Sequence, residues 1–299
     1  MASVVNKGID VSKWQGNNVD FKKVKKAGYS FVMINAGYGK HIDQKDECFE
    51  TNYKKAKSAG LKVGAYWYSY ALTKAEAELE AKVFLEAIKG KTFEMPIAFD
   101  IEDSSQTELS QDTIGKIINA FCSYCESKNY FVMLYSYADF LNNKVPSSCK
   151  TKYSVWLAEF DKAKPIVYKG NYDMWQYTSK GSVSGVSGDC DCNNAYKDFA
   201  KIIKEKGFNG FPKTPTPVPT TKTMDTKGFK SGDDSLGVLA LKELIALAKK
   251  KGIHSVNVDE NSIFGDGTKK AVNTLLKKWG YKENGIAGTN FIKKLKSVL

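Results

Sequence analysis

The chain has 299 residues, 42% of them hydrophobic and 26% charged, with a formal net charge of +12. That is enough apolar mass for one large domain and a small one, which excludes a disordered chain, and no apolar run approaches the ~20 residues of a membrane-spanning helix. The charge is uneven: residues 1–210 carry 29 lysines against 25 acids and residues 229–299 carry 13 against 7, a basic density that suits a polyanionic partner such as nucleic acid, anionic membrane or anionic cell wall.

In chain order, strand-like and helix-like segments alternate over the first two thirds. Segments 8–14, 29–38, 62–70, 95–102, 130–137, 153–160 and 172–178 read as strands, with helical patterns near 20–27, 45–59, 73–89 and 111–128. Thr73-Lys-Ala-Glu76 has the form of a capping box, and Gly60 and Gly90 stand where helices end. Repeated strand–helix alternation predicts parallel strands with right-handed crossovers, and seven or eight of them predict a closed barrel. The connection between 153–160 and 172–178 is too short for a full helix, so the barrel should be irregular there. In such barrels chemistry collects at the C-terminal strand ends.

The most informative of those ends is Ile97-Ala-Phe-Asp-Ile-Glu102. Its period of two places Asp100 and Glu102 on one strand face, roughly 7 Å apart along the chain. Two carboxyls on a buried face repel each other and lose hydration, so at least one pKa should rise. A neutral carboxylic acid beside an ionised one is the equipment of glycosidic bond cleavage. Other strand ends contribute Asp10, Tyr66, Tyr68, Tyr70, Tyr135, Trp156, Glu159, Trp175 and Gln176, with Asp191 soon after. Together they describe an acidic, aromatic groove suited to a saccharide, whose apolar faces stack and whose hydroxyls need acceptors.

Residues 211–228 are rich in Pro and Thr and read as an extended spacer. Beyond it, residues 229–299 predict a compact helical unit of three helices. Leu236, Leu239, Leu241, Leu244, Ile245 and Leu247 form the first apolar set, Ala271, Leu275, Leu276 and Trp279 the second, and Phe291, Ile292, Leu295, Val298 and Leu299 the third. Met224, inside the spacer, is a candidate internal start that would yield this unit alone. The six cysteines form no dense extracellular framework, and the spacing of Cys122-x-x-Cys125 and Cys190-x-Cys192 favours reduced thiols over a zinc site. The N-terminus shows no basic segment followed by an apolar stretch, so synthesis in the cytoplasm without a signal peptide is expected.

Taken together, Gly8-Ile-Asp10-Val-Ser-Lys-Trp-Gln-Gly16, Phe99-Asp-Ile-Glu102, Trp175-Gln-Tyr177 and Asp191-Cys-Asn193 resemble the glycoside hydrolase family 25 lysozymes, over roughly residues 6–205. The resemblance implies a flattened, irregular, TIM-like β/α barrel that hydrolyses the β-1,4 bond between N-acetylmuramic acid and N-acetylglucosamine without metal or cofactor. It implies Glu102 as general acid/base, Asp100 as the assisting acid, and Asp10 and Asp191 as further carboxylates of the site. Tyr66, Tyr135, Trp156, Trp175 and Gln176 are the candidates for positioning the sugar. One departure is Trp67 after Tyr66, where many members carry His. The residues themselves leave open whether Asp100 attacks the sugar or orients the substrate's N-acetyl group; the resemblance points to the latter. The stretches Phe264-Gly-Asp-Gly-Thr268 and Gly285-Ile-Ala-Gly-Thr289 resemble helical peptidoglycan-binding domains. The expected partners are therefore peptidoglycan and an anionic wall polymer, with neither nucleic acid nor membrane. An endolysin released to the cell wall is expected before a secreted autolysin or a non-catalytic wall-binding protein.

Overall fold

The computed structural model describes residues 3–160, 163–213 and 223–299. The chain divides into two compact units, residues 1–214 and 215–299. Half of the proposed spacer, residues 214–222, lies outside the described residues.

The first unit is a closed barrel of eight strands in sequential order. The strands are β1 Asn6–Val11, β2 Phe31–Tyr38, β3 Lys62–Tyr68, β4 Ile97–Asp100, β5 Val132–Tyr137, β6 Ser154–Ala158, β7 Met174–Gly181 and β8 Cys190–Ala195. Neighbours from β1 to β7 run parallel. β8 is antiparallel to both β7 and β1 and closes the ring. The helices are α1 Phe21–Lys26, α2 Phe49–Ser58, α3 Lys74–Ala87, α4 Gln111–Ser127, α5 Ala138–Asn143, α6 Ser147–Lys152 and α7 Phe199–Lys206. No described residue between β6 and β7 is helical, so the irregularity falls where the short connection placed it.

Local chemistry fixes the helix ends. The Asp20 carboxylate accepts the Lys22 and Lys23 N–H groups at the start of α1, and Ser110 accepts that of Thr113 at the start of α4. Thr73 accepts the Glu76 N–H, while Glu76 reaches back to the N–H of Leu72 and not to that of Thr73, a shifted version of the expected box. Beyond α2 the chain turns through Gly60 at φ +74°, a left-handed conformation that costs glycine nothing.

Two apolar layers follow from strand alternation. Outward-facing residues such as Val32, Ile34, Val63, Phe99 and Leu134 pack beneath the helices. Inside, Phe31, Met33, Met95, Met133, Met174 and Phe199 fill one end of the barrel, so the opposite end alone is open to polar chemistry. The fit is close: a Cβ on Gly64 would lie 2.4 Å from the Met33 sulfur. All six cysteines are buried and free.

The second unit contains α8 Leu236–Lys250, α9 Asp266–Lys278 and α10 Thr289–Val298. It begins earlier than composition suggested. Met224 lies in its core, and the Asp225 carboxylate accepts the Asn290 N–H in the first turn of α10, so residues 223–228 belong to the unit and not to a spacer ending at 228. The face α8 buries is Val238, Leu241, Lys242, Ile245 and Ala248. Leu236, at 82% exposure, and Leu247 lie off it, contrary to the apolar set read from the sequence. Lys242 is buried because its ammonium donates to the Asp259 carboxylate and to two oxygens of Asn261, holding the loop before α9. No helix among the described residues is long and apolar enough to cross a membrane.

Candidate active site

The strand ends at the open mouth surround a cleft of about 1000 Å³, and Asp10, Asp100, Glu102 and Asp191 all line it. Their convergence follows from register. Asp100 ends β4 between Tyr68 of β3 and Tyr135 of β5. Because β8 runs backwards, its beginning and not its end reaches the mouth, and Asp191 stands opposite Asp10. Glu102 lies just past β4, where the Ile101 N–H still donates to the Tyr135 carbonyl and keeps the chain extended.

Around Asp10 the polar groups are fully ordered. Its Oδ2 accepts from Gln176 Nε2 at 3.0 Å and Asn193 Nδ2 at 2.7 Å. Tyr135 Oη donates to Gln176 Oε1 at 2.9 Å, and Trp156 Nε1 donates to Asn193 Oδ1 at 2.8 Å. This arrangement fixes both amides. Trp156 packs edge-on against Tyr66 and Tyr135, with centroids 5.9 and 4.6 Å apart, and the three rings make the floor of the cleft.

The electrostatics are those of crowded, dry carboxyls. Burial raises the Asp10 pKa to about 6 although its two amide donors oppose the rise. Glu102 is raised to about 7 by burial and then by the charges of Asp10 and Asp103. Asp191 reaches about 8, from burial and the charge of Asp10. Asp100 is pushed well above the usual carboxylate range by burial, Glu102 and Asp10, and its Oδ1 has no hydrogen-bond partner. Lys13 and Lys45 line the same cleft but form no ion pair with any of the four. Such a cluster holds at least one transferable proton near neutral pH.

Of the sugar-positioning candidates, Tyr66, Tyr135, Trp156 and Gln176 line the cleft. Trp175 does not. It faces outward into the layer beneath the helices, where its Nε1 donates to the Glu159 carbonyl at 2.8 Å. Adjacent residues of one strand point to opposite faces, so Gln176 in the mouth requires Trp175 outside it. Glu159 is structural: its carboxylate accepts the N–H groups of Ile166, Val167 and Tyr168, which hold its pKa down against burial. Trp67 is also outward, stacked on Phe84 with Nε1 donating to the Gly39 carbonyl, so the departure at this position lies outside the cleft.

Sequence reasoning missed Asn193 as the second anchor of Asp10, although its even spacing from Asp191 was a readable signal. It also missed Asp103. That carboxylate accepts from Ser105 N, Ser105 Oγ and Tyr68 Oη at 2.9, 2.6 and 3.1 Å, which outweighs burial and keeps it ionised beside Glu102. Trp14 reads in the sequence only as part of the Gly8–Gly16 motif and Tyr38 only as a strand end, and neither reads as a wall of the cleft, because single rings in a turn or at a strand end carry no pattern.

A profile of the glycosyl hydrolases family 25 matches residues 9–186. The chain belongs to that family. It is 29% identical over 297 residues to an autolytic lysozyme of Clostridium acetobutylicum, covering 97% of this chain and 81% of that one. It is 31% identical over 208 residues to lysozyme M1 of Streptomyces globisporus, covering 66% and 69%. The bacterial lysozyme from Streptomyces coelicolor superposes with a TM-score of 0.59 at 30% identity, over 69% of this chain and 98% of that one. As a family 25 member the protein is a glycoside hydrolase, and its closed barrel is the architecture the sequence resemblance implied.

Proposed function

We propose that this chain is a muramidase that cleaves the β-1,4 bond between N-acetylmuramic acid and N-acetylglucosamine in bacterial peptidoglycan, with Glu102 as general acid and base. The observation that carries the reading is the meeting of four carboxyls at one mouth, with Glu102 held protonated to about pH 7. Glu102, held protonated to about pH 7, donates its proton to the glycosidic oxygen as the bond breaks. Positive charge then develops on the sugar ring. Asp100, beside Glu102 with one oxygen unpartnered, accepts the N–H of the substrate's acetamido group and turns its carbonyl oxygen toward the anomeric carbon. Water, deprotonated by Glu102, completes hydrolysis. Asp10, fixed by Gln176 and Asn193 and ionised at neutral pH, supplies the field that stabilises the ring cation.

The second unit acts as the wall-binding module in this reading, and its excess of lysines suits an anionic wall polymer. Tethering raises the local concentration of bond and barrel without new contacts in the cleft. One experiment on the full chain tests both parts. Glu102→Gln should abolish the loss of turbidity of wall suspensions and the release of new muramic acid reducing ends. The variant should still sediment with walls, less so as salt rises. Lysis near the wild-type rate removes Glu102 from its role, and new glucosamine ends from the wild type make it a different glycosidase.

A further inference from the structure

The cleft does not end at the acids. From Glu102 a run of rings leads outward along its wall: Tyr68, whose hydroxyl donates to Asp103, then Tyr70 at 5.0 Å, then Tyr38 at 6.0 Å from Tyr70. Beyond Tyr38 stands Trp14, also in the cleft lining and 84% exposed. An indole is a large apolar surface to leave in water, and here it is presented deliberately. Its turn is pinned at every point. Trp14 N–H donates to Ser12 Oγ, Gln15 N–H to the Ser12 carbonyl and Gly16 N–H to the Lys13 carbonyl. The Lys13 N–H donates to the Asp46 carboxylate and Asn52 Nδ2 to the Gly16 carbonyl, which tie the turn to the next loop and to α2.

Lys13 explains why the two rim rings stay apart. Its ammonium lies 5.5 Å from the Trp14 ring centre and 5.9 Å from that of Tyr38. A cation shared between two ring faces spaces them and keeps the outer face of each free. We propose that Trp14 and Tyr38, spaced by Lys13, form a distal saccharide subsite that takes an N-acetylated pyranose of the glycan strand remote from the bond being cut. This rests on the reading of the protein as a peptidoglycan hydrolase. Charge decides which part of the polymer sits there. Asp43 and Glu47 line the cleft as well, while of its lysines Lys45 is paired with Glu50 and Lys13 lies between the rings, so a neutral ring with hydroxyls for those acceptors is favoured over an acidic peptide stem. Because the platform is already ordered, binding does not have to immobilise it.

The test uses the full chain and two soluble substrates, long uncrosslinked glycan strands and a tetrasaccharide fragment. Trp14→Ala should lower the ratio of kcat/KM on long strands to that on the tetrasaccharide by about tenfold, through KM, and Trp14→Phe should restore most of it. Calorimetric binding of long strands should weaken by the same factor. An unchanged ratio with unchanged binding overturns the subsite, as does an equal loss on both substrates, which would place Trp14 at the reacting sugars. A wild type that binds long strands through Trp14 but cuts neither substrate would sink the hydrolase reading and leave the subsite standing.

Discussion

Asp191→Asn should make the barrel more stable. Asp191 sits opposite Asp10, and its pKa rises from 3.8 to about 8 through burial and neighbouring negative charge. In the unfolded chain it ionises near 3.8, so folding at neutral pH must keep a proton on a group that would otherwise release it. That costs about 1.4 kcal/mol for each pH unit above 3.8, a ceiling of about 4 kcal/mol at pH 7. Asp191 is only partly buried, and solvent screening brings the figure to about 2 kcal/mol. An isosteric amide removes that cost, and for a unit of this size Tm should rise by roughly 4–8 °C. A carboxyl with a raised folded-state pKa favours the fold only while protonated. Its contribution is complete below pH 3.8 and is lost as pH climbs to about 8. The gain from Asp191→Asn should therefore be near zero at pH 4 and large at pH 7. Near-UV circular dichroism during heating reads the barrel, because Trp14, Trp67, Trp156 and Trp175 lie in it and Trp279 alone in the second unit. A gain that is the same at both pH values, or a loss at pH 7, refutes the reasoning, because neither can come from a proton held against solvent.

Two further outcomes follow from the same groups. Asp103→Asn removes a negative charge next to Glu102, so the alkaline limb of kcat/KM on soluble fragments should move down by roughly half to one pH unit, for charges about 7 Å apart at an effective dielectric of 40–80; an unmoved limb means that Asp103 does not tune the acid. Asn193→Ala deprives Asp10 of a donor and leaves the buried Trp156 indole N–H without its acceptor, so it should cost about 2–4 kcal/mol and lower Tm by roughly 5–12 °C. A melt within 2 °C of wild type would show that water replaces the amide at no cost.

Much of this was legible because apolar alternation is strong wherever a strand faces the helices. β2, β3 and β5 declare themselves through residues such as Val32, Ile34, Val63 and Leu134. Cys190-Asp-Cys-Asn-Asn-Ala195 did not read as a firm strand, since its inner face carries Asp191 and Asn193 into a polar mouth and offers no apolar period. Helices α5 and α6 have six residues each, too few to show a helical period. The acids were readable for a different reason: Asp100 and Glu102 share parity on a strand end that is otherwise apolar. Parity also held the error. Trp175 and Gln176 are consecutive in β7 and cannot both face one cleft, and the glutamine that bonds Asp10 decides which does.

The barrel therefore separates two tasks along its axis. One end is filled by Met33, Met95, Met133, Met174 and Phe199, side chains that pack without a polar demand and close the structure. That packing holds the mouth rigid enough to keep Asp10, Asp100, Glu102 and Asp191 together although they repel. Were the mouth soft, the acids would move apart or take up water, their pKa values would fall, and no proton would remain for a leaving oxygen at neutral pH. Rigidity in the filled half and acidity in the open half are one property. Substitutions that loosen the methionine layer should lower activity by lowering the pKa of Glu102, far from any residue that touches sugar.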